Sequence, residues 1–289
     1  MTAPASLCFG VFGDPIGHSR SPAMHNAAFA SLGIHHCYLP FHVSPGRLGE
    51  AVRGAAALGF GGVNLTTPHK RAGVGLCDRL SETAARIGAV NTLCFTRDAD
   101  GELGIEGHNT DGRGFLDGLD ELDGPAGSSP STPRRATVLG AGGASLAIVD
   151  ALLGAFPELE ITWVSRRPGR VACIDAIPGA AARVHACDWD KLELGGDLLV
   201  NTTIVGLAGG PDEFPVALDL DRLEPGARVL DIVYPRPAGG LLDRAAAAGL
   251  SVQDGLPMLL WQGVRALELW LDQVLPDPTV AAMRAALYA

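Results

Sequence analysis

Short apolar runs alternate with longer amphipathic stretches over the first part of the chain, and the alternation predicts its elements. Leu7 to Phe12 reads as a strand, Pro22 to Leu32 as a helix, Tyr38 to Val43 as a strand, Arg47 to Leu58 as a helix and Gly62 to Thr66 as a strand. Repeated β and α segments of these lengths imply a mainly parallel sheet with helices on its faces. From Asp123 to Arg135 the text turns to Gly, Pro, Ser and Thr, the composition of an exposed flexible connection. A second series follows at once, with strands at Ala136 to Leu139, Ile161 to Val164, Leu198 to Val200 and Val229 to Val233, and helices at Ala144 to Leu153 and Leu241 to Ala248. Leu260, Val264, Leu267, Leu271 and Val274, spaced by four, three, four and three residues, predict one apolar stripe on a long amphipathic helix.

Composition narrows what such a chain can do. Its 289 residues suggest two domains. A net charge of −10, with Arg pairs only at Arg134-Arg135 and Arg166-Arg167, argues against a nucleic-acid partner. No uncharged run approaches the roughly 20 apolar residues that span a bilayer, and no basic segment precedes Asp14 as a secretory leader would require, so a cytoplasmic protein without a membrane partner is expected. The six Cys lie singly without a C-x-x-C pair and the eight His show no H-E-x-x-H spacing, so reduced thiols and no metal are expected. A homodimer stays open, because an exposed helix stripe and a domain contact look alike in sequence.

Only two of the 22 basic residues are Lys, at Lys70 and Lys191. An ammonium can lose its proton when partly buried, whereas a guanidinium cannot. Lys70 is therefore a candidate for proton chemistry, with ordinary surface charge as the alternative.

The run from Ala136 through Gly140, Ala141, Gly142, Gly143 and Ala144 to Ser145 is an apolar strand entering a Gly-rich turn that opens a helix. In that context the glycines allow a tight turn and close backbone approach, and the helix N-terminus faces a pyrophosphate. Ser145 stands where a third glycine is usual and is small enough for helix and strand to pack. At the end of the next strand an NAD site carries an acid and an NADP site carries Arg. This chain has Ser165, Arg166, Arg167 and Arg170 there and no acid, which favours NADP.

Polar clusters interrupt the strand ends of the first 112 residues. Ser21 before Pro22 reads as a helix N-cap, and the Ser19 and Ser21 hydroxyls could hold a small carboxylate or serve as a cap alone. Asn64, Thr66, His69, Lys70, Asn91, Thr92, His108, Asn109, Thr110 and Asp111 supply amides, hydroxyls, one ammonium and one carboxylate, suited to a polyhydroxylated neutral or anionic small molecule. Taken singly, each Asn is more often a turn residue, and His69 and His108 read as structural or supporting groups.

The sequence resembles the shikimate dehydrogenase family in Phe12-Gly-Asp-Pro-Ile-Gly-His-Ser-Arg-Ser-Pro22, Asn64-Leu-Thr-Thr-Pro-His-Lys70, Gly88-Ala-Val-Asn-Thr92, Asn109-Thr-Asp-Gly112, Gly140-Ala-Gly-Gly-Ala144 and Asp254-Gly-Leu-Pro-Met-Leu-Leu-Trp-Gln262. These six co-linear segments cover nearly the full length. The resemblance implies a two-domain α/β fold. A substrate-binding and catalytic domain would span residues 1–112, with helices at 256–289 returning to it, and a Rossmann-type NADP-binding domain would span 113–255. It also implies NADP-dependent reversible reduction of 3-dehydroshikimate to shikimate. Carried over by motif, Lys70 and Asp111 would be the catalytic pair, Ser19, Ser21 and Tyr234 would hold the carboxylate, and Asn64, Thr66, Asn91 and Gln262 would bind ring hydroxyls. Gly255 and the backbone around Ile232 would lie near the nicotinamide.

The chain departs from the family pattern at two places. Leu146 stands where an Arg is frequent, and Ser165-Arg166-Arg167 replaces the usual Asn-Arg-Thr. The competing readings are a quinate/shikimate dehydrogenase with NAD or dual cofactor use, an aminoshikimate dehydrogenase, and a non-catalytic NADP sensor. Retention of both Lys70 and Asp111 argues against the sensor.

Overall fold

A computed structural model describes residues 6–97, 101–124, 132–168, 176–207, 209–235 and 238–289. The early elements are β1 (Cys8–Gly13), α1 (Ser21–Leu32), β2 (Cys37–His42), α2 (Leu48–Ala57), β3 (Gly62–Leu65), β4 (Arg79–Leu80), α3 (Glu82–Ile87), β5 (Thr92–Arg97), β6 (Leu103–His108) and α4 (Asp111–Asp123). Then come β7 (Arg135–Leu139), α5 (Gly143–Ala155), β8 (Glu160–Val164), α6 (Ala180–Arg183), β9 (Val184–Cys187), β10 (Gly196–Asn201), β11 (Leu223–Asp231), α7 (Leu241–Ala247) and β12 (Ser251–Gln253). Helices α8 (Leu256–Leu271) and α9 (Asp277–Tyr288) follow. The chain divides into two compact units, one of residues 1–114 with 259–289 and the other of residues 115–258. No helix among the described residues is long and apolar enough to cross a membrane.

The first unit holds a sheet in the order β2-β1-β3-β5-β6-β4. Strands β2, β1 and β3 are parallel, as their βα alternation predicts, while β5 runs antiparallel to both β3 and β6. Phe12, Val52, Val63, Leu65, Val90 and Leu93 form the core against α2. The outward ends of β5 and β6 are exposed, so neither produces the buried apolar run by which the parallel strands announce themselves.

The second unit carries an all-parallel sheet in the order β12-β11-β10-β7-β8-β9. Counted from β7, this is the strand order of a doubly wound nucleotide-binding fold, with the order reversing at β7. Its strand interiors are apolar because helices cover both faces of such a sheet. Leu139, Val164, Leu199 and Val229 are buried in one core cluster.

Three expectations need correction. Val274 does not continue the helical stripe: α8 ends at Leu271, Asp272 takes φ 48°, and Val274 is 82% exposed in the connection to α9. Ser21 is the first residue of α1 and not its cap, a place held by Arg20 without a side-chain cap bond. Strand β11 ends at Asp231, so Ile232 and Val233 belong to the loop beyond it. Helix α9, within the helical region 256–289 that the resemblance implied, packs on α1, where Ser31 Oγ lies 3.1 Å from Thr279 Oγ1. Most of the predicted Gly, Pro and Ser connection lies at 125–131, outside the described residues.

Candidate active site

Lys70 follows the turn after β3, and Asp111 opens α4 directly after β6. Asn109 fixes the second of these positions: its Oδ1 accepts the Asp111 N–H at 3.0 Å and its Nδ2 donates to Ala89 O at 3.1 Å. An acid in the first turn also meets the positive end of the helix dipole. Lys70 Nζ donates to Asp111 Oδ2 at 2.6 Å, and Asn91 Nδ2 donates to Asp111 Oδ1 at 2.8 Å. The Asp111 side chain is 4% exposed and that of Lys70 18%, so the carboxylate is enclosed while the ammonium keeps an open side. Lys191, by contrast, is an exposed residue.

Asn91 is almost wholly engaged. Besides Asp111, its Nδ2 donates to Thr110 Oγ1 at 2.9 Å, and its Oδ1 accepts from the Thr110 N–H at 2.8 Å and from Thr92 Oγ1 at 3.0 Å. Asn64 continues the network: Nδ2 donates to Asn91 O and to Thr92 Oγ1, both at 3.0 Å, and Oδ1 accepts from Tyr38 Oη at 2.7 Å. Both Asn64 donors are thus occupied, and what it can offer a ligand is the second lone pair of Oδ1. Sequence reasoning missed Tyr38, while Thr92 stood among the polar candidates. A single Tyr in an apolar strand reads as core, and Tyr38 is indeed buried, stacked on His25 with ring centroids 4.1 Å apart.

The remaining polar candidates of this unit divide by burial. Ser19 and Thr66 are half-buried and Ser21 is buried, with the Ser21 N–H donating to Ser19 Oγ at 3.3 Å. Half-buried Gln262 on α8 donates through Nε2 to Leu259 O at 2.8 Å, and its backbone carbonyl accepts from Thr110 Oγ1 at 3.0 Å. His69 is buried and donates to Val43 O at 2.7 Å, and half-buried His108 lies 3.6 Å from Glu106.

In the other unit, β7 runs into Gly140, whose φ of +103° belongs to glycine and whose Cβ would stand 2.7 Å from Thr202 Oγ1. Gly142 precedes α5 in extended conformation, and no side chain caps that helix. The first-turn N–H groups are therefore available to an anion. A Cβ at Gly142 would meet nothing within 4 Å, so the turn opens outward there. A pyrophosphate fits this donor set. Ser145 does more than keep the third position small, since its Oγ donates to Gly140 O at 2.6 Å and accepts from Trp163 Nε1 at 2.8 Å. Leu146, where an Arg is frequent, is fully buried.

Arg166 and Arg167 are exposed just after β8, with the Arg167 N–H bound to Ser165 Oγ at 3.2 Å. Two guanidinium groups suit a phosphate monoester. Arg170 lies outside the described residues. Gly255 packs directly on Ile232 O, leaving no room for a side chain. Tyr234 is half-buried in the loop after β11.

Two buried groups give the units opposite acid responses. Burial pushes the His25 imidazole down to about 4, so acid must charge it on unfolding and stability in the first unit falls as pH drops from 6.5 towards 4. Burial, reinforced by Asp254, pushes the Asp231 carboxyl up to about 6 against the bonds from Val233 and Asn201. Its folded form binds the proton more tightly than the unfolded form, so the second unit gains stability as pH drops from 6 towards 4. Denaturant unfolding of wild type and Asp231→Asn isolates the second contribution. The stability of the variant relative to wild type should fall by on the order of 2 kcal/mol between pH 7 and pH 4, and a constant difference would show that Asp231 does not titrate in this window.

One unit with a glycine turn at the switch point of a parallel sheet and a second unit with an enclosed Lys–Asp pair define a nucleotide-dependent oxidoreductase. Residues 11–93 match the model of the shikimate dehydrogenase substrate binding domain, and residues 255–288 that of the shikimate 5'-dehydrogenase C-terminal domain. The NADP(+) shikimate dehydrogenase of Rubrobacter xylanophilus is 44% identical over 96% of this chain and 94% of its own length. That of Rhodospirillum rubrum is 45% identical over 96% and 95%. The shikimate 5-dehydrogenase of Thermus thermophilus, solved with NADP(H) and shikimate, superposes with a TM-score of 0.79 at 38% identity, covering 98% of each chain. The chain belongs to the shikimate dehydrogenase family, as its motifs implied.

Proposed function

We propose that this chain is an NADP-dependent shikimate dehydrogenase, which interconverts 3-dehydroshikimate and shikimate in aromatic amino-acid biosynthesis in the cytoplasm. The observation that carries the reading is the 2.6 Å Lys70–Asp111 contact at the open edge of an otherwise enclosed polar network. Reduction of a ketone builds negative charge on its oxygen, and Lys70 Nζ stabilises that charge and donates the proton that completes the alcohol. In the reverse direction Nζ takes the proton from the hydroxyl. Asp111 Oδ2 holds the ammonium in place, and Asn91 holds Asp111. Ser19 and Ser21 take the substrate carboxylate, a role the motif also gives Tyr234, while Thr66, Gln262 and the free lone pair of Asn64 take ring hydroxyls. The turn from Gly140 to Ala144 would hold the cofactor pyrophosphate, Ser165, Arg166 and Arg167 its 2′-phosphate, and the Ile232 and Gly255 backbone would border its nicotinamide. When bound, NADPH supplies the hydride.

Initial rates with shikimate and quinate, each paired with NADP and NAD, test the reading. Shikimate with NADP should give the dominant kcat/KM. Dominance of quinate or NAD would overturn the specificity while leaving the Lys70 chemistry standing. Silence of all four pairs with NADP still bound would make the chain a nucleotide sensor.

A further inference from the structure

Strand β10 ends at Asn201, and Thr202 and Thr203 follow it; the mechanism above does not use these residues. The Thr202 N–H and Oγ1 both donate to Leu139 O, at 2.8 and 2.6 Å, fastening this segment to the last residue of β7. A Cβ on Gly140 would meet Thr202 Oγ1 at 2.7 Å and Thr203 Cγ2 at 3.1 Å. The two threonines are therefore the wall against which the glycine turn lies.

Asn201, fully buried, sets the shape of that wall. Its Oδ1 accepts both the Thr203 N–H at 3.0 Å and Thr203 Oγ1 at 2.7 Å, and its Nδ2 donates to Asp231 Oδ1 at 2.9 Å. The same Asp231 oxygen accepts the Val233 N–H at 3.0 Å, and the Ile232 N–H donates to Asn201 O at 3.1 Å. Asp231 is only 4% exposed, an expensive place for a carboxylate. Its chemistry explains the location. A carboxylate only accepts, so Asn201 must turn its NH2 towards residue 231 and its oxygen towards Thr203, and the amide has no second orientation.

We propose that Asp231 and Asn201 are positioning residues for the dinucleotide: they fix the Thr202-Thr203 wall behind the glycine turn and the Ile232-Val233 backbone after β11. Both loops leave the C-terminal ends of adjacent parallel strands, β10 and β11, and β10 also borders β7. An open α/β sheet holds its nucleotide at those ends. The inference rests on the proposed use of a nicotinamide dinucleotide, and the test separates the two.

The measurement is equilibrium titration of nucleotide fluorescence with NADPH, beside calorimetric titration with shikimate. Asp231→Ala removes the acceptor of two buried donors and should raise the NADPH Kd at least ~10-fold with the shikimate Kd unchanged. Asp231→Asn keeps an oxygen where Oδ1 stands, so its NADPH Kd should return to within about 3-fold of wild type. An unchanged NADPH Kd in Asp231→Ala, equal weakening of both ligands, or an Asp231→Asn as weak as the Ala variant would each overturn the proposal. Should Asp231→Ala fail to fold, Thr203→Val decides, since it keeps the shape of the wall but loses a donor to Asn201. A several-fold rise in NADPH Kd supports the role and an unchanged Kd overturns it. A wild-type protein that binds NADH and not NADPH would sink the cofactor assignment alone, and the same variants would then be titrated with NADH.

Discussion

Lys70→Ala should lower turnover at least ~100-fold, the scale of a lost general acid or base, with the NADPH Kd little changed. The ammonium is the group whose proton can reach a substrate oxygen: Asp111, its partner, is enclosed and already accepts from Lys70 and Asn91. Removing the amine also leaves a buried carboxylate without its counter-charge, which costs several kcal/mol where no other donor compensates. Asn91 and the start of α4 still face Asp111, so the variant should fold with a lowered melting temperature. Single-turnover and steady-state rates on folded Lys70→Ala are the check, and near-normal turnover would remove Lys70 from the mechanism.

Asp111→Asn should be nearly as damaging, lowering kcat by roughly 100-fold, for a reason that lies in hydrogen-bond direction as much as in charge. Each carboxylate oxygen faces a donor, Asn91 Nδ2 on one side and Lys70 Nζ on the other. An amide offers one oxygen and one NH2, so one of those donors must meet another donor. If the NH2 faces Asn91, that residue has to rotate and give up its bonds to the Thr110 N–H and Thr92 Oγ1. If it faces Lys70, the ammonium loses the group that aims it. Because the two residues act as a unit, the double variant should be no more than a few-fold slower than Lys70→Ala. Multiplicative losses in that cycle would show that they act separately.

How far these residues were legible in the sequence depended on whether their signal was local. Strands β7, β8 and β10 are central strands of a parallel sheet, and burial on both faces writes them as unbroken apolar runs. Lys70 stood out because the chain otherwise uses Arg for positive charge. The glycine turn was readable because its strand, turn and helix are contiguous. Val274 misled because it keeps the helical spacing three residues beyond Leu271, after Asp272 has already left helical conformation.

Tyr38, Asn201 and Asp231 carried no local signal at all. Their meaning lies in partners 26 to 30 positions away, and the bond from Asn91 to Gln262 crosses 171 residues. Periodicity reports which face of an element is buried. It cannot report which buried oxygen a distant amide will find.

The first unit is assembled from both sides of the chain, and this has a bearing on when the protein can begin to work. Trp270 of α8 packs on Gly62 and donates to Leu93 O at 3.1 Å, and Arg20 Nη1, next to the serine pair, donates to Leu287 O of α9 at 2.8 Å. A ribosome that has delivered residues 1–114 has made Lys70 and Asp111 but neither α8, whose Trp270 packs on the sheet, nor α9, which packs on α1. The contiguous second unit can fold while still being synthesised. Nucleotide binding should therefore appear on stalled nascent chains earlier than substrate binding, which should wait until residues 259–289 have emerged.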